Sequence, residues 1–237
     1  MAAALALFTS AAYGVANYLG PRLARDAPIL LLLTISQCAA LVLAAVVVVA
    51  SGDGPPDAEA AGWALLAGTG NALGLVFFYR AAQIGPLSIV TSIGSLGVGI
   101  PVAVGLAGGE SVAVAQVAGM VLAVAGLLLV SARPVTAAVP DGVAASAEAD
   151  HHHARREALG LSLLATVGFG VFLAALEPAS DDGAAWAVFL SRASLVAVLV
   201  VMATREAVLR RIPARSAALL AVPGMLLFAG TLSYAAA

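Results

Sequence analysis

Few side chains in this sequence have the chemistry to bind or react, and those that do lie inside long apolar runs. Arg192 is the most expensive, about ten residues into the run Gly183–Ala203. At the centre of a bilayer helix an Arg costs roughly 2.5–3.5 kcal/mol, which calls for a wet cavity or a partner. Two roles meet that need. Arg192 is either a counter-charge for an anionic or zwitterionic substrate, or a structural cation that bonds helix-end carbonyls or snorkels. Ser10, Tyr13 and Asn17 are spaced i, i+3, i+7 and share one face, and Ser88, Thr91, Ser92 and Ser95 form a similar stripe. Such faces point inward, away from lipid. Ser and Thr can satisfy themselves on their own preceding turn. Asn17 and Asn71 carry amides that must find partners. The candidate substrate-binding set is Tyr13, Asn17, Gln37, Asn71, Ser92, Arg192 and Tyr234.

Catalytic chemistry is poorly represented. No acid lies at the middle of an apolar run, and the three His residues, His151–His153, stand together in a polar stretch. No run pairs a nucleophile with a base or holds two acids, so an intramembrane enzyme is disfavoured and no cofactor is implied. The His triplet beside Asp150 has no second ligand cluster to complete a metal site. Glu110 suits the start of a helix, where a carboxylate complements the dipole. Cys38 is alone, so no disulfide framework exists. A net charge of −2 and the absence of a basic run leave no grip for nucleic acid.

The elements that position these residues follow from composition. Hydrophobic residues make up 62% of the chain and charged ones 10%, against roughly 25% charged in soluble proteins. Eight candidate spans of roughly 20 residues each are long enough to cross a hydrocarbon core. They are Ala3–Gly20, Pro28–Ala50, Ala60–Arg80, Leu87–Leu106, Val112–Ser131, Ala158–Leu176, Gly183–Ala203 and Ala214–Ala237. Backbone groups in lipid must bond internally, so the expected fold is an all-α, polytopic membrane helix bundle. The first span has no basic n-region and carries Ser10, Tyr13, Asn17 and Tyr18, unlike a signal peptide.

The last three spans repeat the first three at an offset of about 155 residues. Tyr13-Gly14-Val15 matches Phe169-Gly170-Val171, Ser36-Gln37 matches Ser191-Arg192, and Phe78-Tyr79 matches Ser233-Tyr234. Five spans separate the copies, so the second copy is inverted in the membrane, the plan of many secondary transporters. The expected organisation is a first five-helix repeat over 1–133, a flexible linker over 134–156 and a second, three-helix repeat over 157–237. A full second copy would add counterparts of Gln83–Ala132, so the expectation is eight spans of an expected ten, in a fragment or shortened product. Matched helix-loosening residues mark the two halves: Gly68, Gly70 and Gly74 in span three, Pro223 and Gly224 in span eight. They serve either a broken-helix binding site or close helix packing.

All eleven basic residues are Arg, and ten lie at or beside odd-numbered loops, while the even loops hold acids such as Asp53, Asp57, Asp181 and Asp182. Cytoplasmic loops collect basic residues, which places the odd loops, including Pro213, in the cytoplasm and Met1 outside the cell membrane.

Further motifs carry a family resemblance. Gly85-Pro86-Leu87-Ser88-Ile89-Val90 opens span four, Gly109-Glu110 opens span five, and Gln116 and Gly119 lie within it. With Tyr79-Arg80-Ala81 and Ser191-Arg192, these resemble the EamA-type repeat of the drug/metabolite transporter superfamily. The resemblance covers nearly the whole chain. It implies ten helices in two inverted repeats and movement of small metabolites, without enzymatic chemistry. The chain departs from the family in having Gln37 where the first repeat often has Arg, and in carrying its Arg residues on the odd loops. The partners implied are membrane lipids and a small-molecule substrate; self-association is not indicated either way. The competing reading is a non-transporting scaffold, a partner subunit, or an inactive fragment of a ten-helix transporter.

Overall fold

The computed structural model describes residues 2–24, 28–109, 114–131, 146–205 and 217–235. Every element among them is helical: α1 (Ala2–Leu23), α2 (Ile29–Ser51), α3 (Ala58–Ile84), α4 (Leu87–Ser95), a 3-10 turn (Leu96–Val98), α5 (Gly99–Ala107), α6 (Val114–Ser131), α7 (Ser146–Ala179), α8 (Ala184–Arg205) and α9 (Ala217–Ala235).

Helices form because the runs are rich in Ala and Leu, and because a helix satisfies its own backbone where water is scarce. Among the described residues, five helical segments are long and apolar enough to cross a membrane: Ile29–Ser51, Ala58–Ile84, Leu87–Ala107, Arg156–Ala179 and Ala184–Arg205. Leu219–Ser233 is a shorter apolar helix. The outward faces are apolar too. On α2, Leu31–Leu33, Ala40 and Ala44 are buried, while Val42, Val46 and Val49 stand outward, the last 83% exposed. A helix apolar all round belongs in lipid. The chain is a membrane-embedded helix bundle.

Long-range packing follows a simple scheme. α3 packs most extensively on α7 and also on α8; α1 packs on α9; α2 packs on both α8 and α9; α4, the 3-10 turn and α5 pack on α7. Glycines allow the close approaches. Where α3 meets α7, a Cβ at Gly168 would lie 2.7 Å from Gly74 Cα, and one at Gly74 would lie 2.7 Å from Phe169 Cδ1. Where α1 meets α9, a Cβ at Gly230 would lie 2.8 Å from Tyr13 Cδ1. A Cβ at Gly68 would run into the Ser191 carbonyl of α8, and one at Gly224 into the Ser36 carbonyl of α2. Without a side chain the backbones come close enough for dispersion to hold them.

These contacts choose between the two roles open to the glycines. α3 runs unbroken through Gly68, Gly70 and Gly74, and α9 runs unbroken through Pro223 and Gly224. The four glycines sit at close helix contacts, and neither they nor Pro223 interrupt their helices. The interruption falls in span four, where α4 gives way to the 3-10 turn Leu96–Val98 before α5. Gly97 sits there because a Cβ would lie 2.9 Å from the Thr166 carbonyl oxygen.

The expected linker also differs. From Ser146 the chain is helical, so residues 146–156 are the first part of α7. Ala, Glu and Arg in that stretch favour helix although it shows no apolar period. The side chains of His151–His153 and the residues 134–145 lie outside the described residues.

At one end of the bundle the α2–α3 and α7–α8 loops are tied together. Asp57 Oδ1 accepts from Ala60 N (2.8 Å) and caps α3, while Asp57 N donates to Asp182 Oδ2 (3.2 Å). Trp186 Nε1 donates to the Asp53 carbonyl (3.0 Å). At the other end Gln83 Nε2 donates to the Ala24 carbonyl (2.9 Å), joining α3 to the end of α1.

Candidate functional site

The described residues line a half-open cavity of about 670 Å³ between the helices. That is within the range of about 300–1,000 Å³ typical of small-molecule sites. Its wall draws on α1, α3, α4, α7, α8 and α9. α1 supplies Tyr13, Asn17 and Tyr18; α3 supplies Asn71 and Phe78. Leu87 and Ser88, the first residues of α4, also line it, so the cavity reaches the end of the bundle where α3 finishes.

Arg192 projects from the middle of α8 and is 1% exposed. Its Nη1 donates to Gln37 Oε1 (2.7 Å), and its Nη2 donates to the Leu227 carbonyl (3.1 Å) and to Thr231 Oγ1. Thr231 gives its single proton to the Leu227 carbonyl (2.7 Å), so it accepts from Arg192. For the same reason Tyr13 is the donor in its 2.9 Å bond with Thr231 Oγ1. Tyr13, Thr231, Arg192 and Gln37 therefore form one chain that joins α1, α9, α8 and α2. Every partner of the guanidinium in that chain is neutral. Arg192 Nε and Gln37 Nε2 are buried and have no hydrogen-bond partner among the described residues. Each such orphan costs about 1–3 kcal/mol.

The rest of the wall is mostly apolar. Phe78 and Phe169 meet edge to face with ring centroids 5.9 Å apart, and Phe172 and Leu173 continue that side. On α4 the polar stripe is Ser88, Thr91 and Ser95. Thr91 donates to the Leu87 carbonyl (2.8 Å) and Ser95 to the Ser92 carbonyl (2.8 Å), each on its own preceding turn.

Tyr13, Asn17, Asn71 and Arg192, chosen from sequence, share this cavity. Gln37 does not line it but bonds the guanidinium. Ser92 is buried and is not part of the wall. Ser88, Thr91 and Ser95 keep the i, i+3, i+7 spacing of one face, and Ser92 falls to the side of it. The side chain of Tyr234 lies outside the described residues. Reading the sequence missed Thr231 and the aromatic wall. Phe169 was within reach, since it is the counterpart of Tyr13 in the repeat. Thr231 gave no signal beyond the need of Arg192 for an acceptor nearby.

No protein-family model matches the chain, and no curated protein or solved structure matches it.

Proposed function

We propose that this chain is a secondary transporter that moves small metabolites across the cell membrane, binding them between two inverted repeats. The observation that carries the proposal is the cavity, with its wall from six helices and a buried cation held, among the described residues, by neutral groups. The three hydrogen bonds of Arg192 would serve a packing role as well, so it is the cavity beside the cation that favours transport.

The repeat is supported by contacts that occur twice. Gly74 of α3 meets Phe169 of α7, and Gly230 of α9 meets Tyr13 of α1, which are the corresponding pairs at the offset seen in the sequence. Gly68 against the Ser191 carbonyl corresponds to Gly224 against the Ser36 carbonyl in the same way. Gln37 and Arg192, matched positions of the two copies, bond to each other. Such exchange of partners is what a two-fold axis in the membrane plane produces. The resemblance to EamA-type repeats of the drug/metabolite transporter superfamily points the same way. On this reading the eight spans are α1, α2, α3, α4 with α5, α6, α7, α8 and α9, with the odd loops in the cytoplasm.

Proteoliposome counterflow tests the proposal, with a panel of labelled amino acids, organic acids and amines. At least one class should accumulate above protein-free vesicles. No accumulation of any panel member would overturn it.

A further inference from the structure

We propose that the cavity selects a small organic monoanion, a carboxylate carrying an apolar ring or chain, over a zwitterionic amino acid or an amine. This rests on the reading of the cavity as the substrate site. Arg192 is the sole charged side chain of the described wall, and its hydrogen bonds run to an amide oxygen, a carbonyl and a hydroxyl. None of these cancels its charge. Its Nε is buried and has no partner among the described residues, so what the guanidinium presents to the cavity is chiefly its uncancelled charge. A carboxylate is the ligand group that answers an uncancelled buried cation.

The remainder of the wall says what the carboxylate is attached to. Phe78, Phe169, Phe172 and Leu173 offer an apolar surface suited to a ring or short chain. The described wall contains no Asp or Glu. A substrate ammonium would be stripped of water without a counter-charge and would face Arg192 in a low dielectric. Aromatic faces attract cations, but that attraction is small beside a nearby like charge. Gln37 acts as a positioning residue, since its Oε1 accepts from Nη1 while it does not itself line the cavity.

The test is equilibrium binding of labelled phenylacetate to the intact chain in nanodiscs of phosphatidylcholine, whose headgroup carries no net charge. Phenylalanine, phenethylamine and phenylacetamide serve as competitors, matched in ring and differing in charge. Phenylacetate should bind saturably, with each competitor weaker by about tenfold or more, the factor of one charge-assisted hydrogen bond. Arg192→Gln should lose binding by a similar factor, and Arg192→Lys should retain part of it. The wild-type ranking needs no variant, so a misfolded Arg192→Gln protein leaves the test intact. Phenylalanine or phenethylamine competing as well as phenylacetate, or no saturable phenylacetate binding, would overturn the inference. Binding without counterflow would sink transport and leave the selectivity standing. Counterflow of phenylalanine without phenylacetate binding would do the reverse.

Discussion

At Arg192 the sequence posed a choice between counter-charge and structural cation, and the geometry contains elements of both. The side chain bonds the Leu227 carbonyl as a structural Arg would, yet it lines a cavity, and its Nε has no partner among the described residues. The two roles separate under mutation. Arg192→Ala should lower counterflow by about tenfold or more while membrane insertion is unchanged, because insertion improves when an intramembrane charge is removed. Counterflow per inserted molecule, measured beside the inserted fraction, checks this. Gln37→Leu should act more mildly, raising KM several-fold with kcat nearly intact, since it loosens the aim of the guanidinium without removing it. Tyr13, Asn17, Asn71 and Arg192 were legible because amides, a phenol and a charge are conspicuous in apolar runs. Thr231 and Phe172 were not, because Thr and Phe are ordinary residues inside a membrane helix.

Among the elements, the helices and their inward faces were readable from hydropathy, but the nature of the breaks was not. Pro223 and Gly224 have the composition of a helix break, yet α9 continues through them. Local propensity yields there to packing against α2, which only a residue without a side chain permits. Gly224→Ala should therefore destabilise the bundle by about 1–3 kcal/mol through overpacking. Gly62→Ala, where a Cβ would meet nothing within 4 Å, should leave stability unchanged or slightly higher. Thermal unfolding of both variants in the same detergent compares them directly. The cap of α3 offers an independent probe. Asp57→Ala removes the 2.8 Å bond to Ala60 N and should cost about 0.5–2 kcal/mol in the same assay. The break that does exist, at Leu96–Val98, has a sequence signal in Pro101, which lacks an N–H and crowds the carbonyl four residues back at Gly97.

For the whole molecule, the sequence offered a repeat and a bias of Arg between alternate loops, and both concern symmetry more than local structure. The contacts of Gly74 with Phe169 and of Gly230 with Tyr13 fall at the offset of the repeat and support the proposed reading of two related halves; the Arg bias is a separate expectation about orientation. Impermeant maleimide labelling tests the orientation. In a Cys38→Ser background, Gly54→Cys in the α2–α3 loop should label in intact cells. Pro86→Cys, at the start of α4, should label only after permeabilisation; the opposite pattern would invert the assignment.

The neutral company of Arg192 has an electrical consequence. A cavity occupied by a monoanion carries no net charge, whereas the vacant one carries a single positive charge near the centre of the bundle. Moving one elementary charge across a full 100 mV is worth about 2.3 kcal/mol. Voltage would then act on the return of the vacant carrier and leave the laden passage nearly indifferent to it. In the proposed cycle, membrane potential becomes a control on resetting the protein between cargoes.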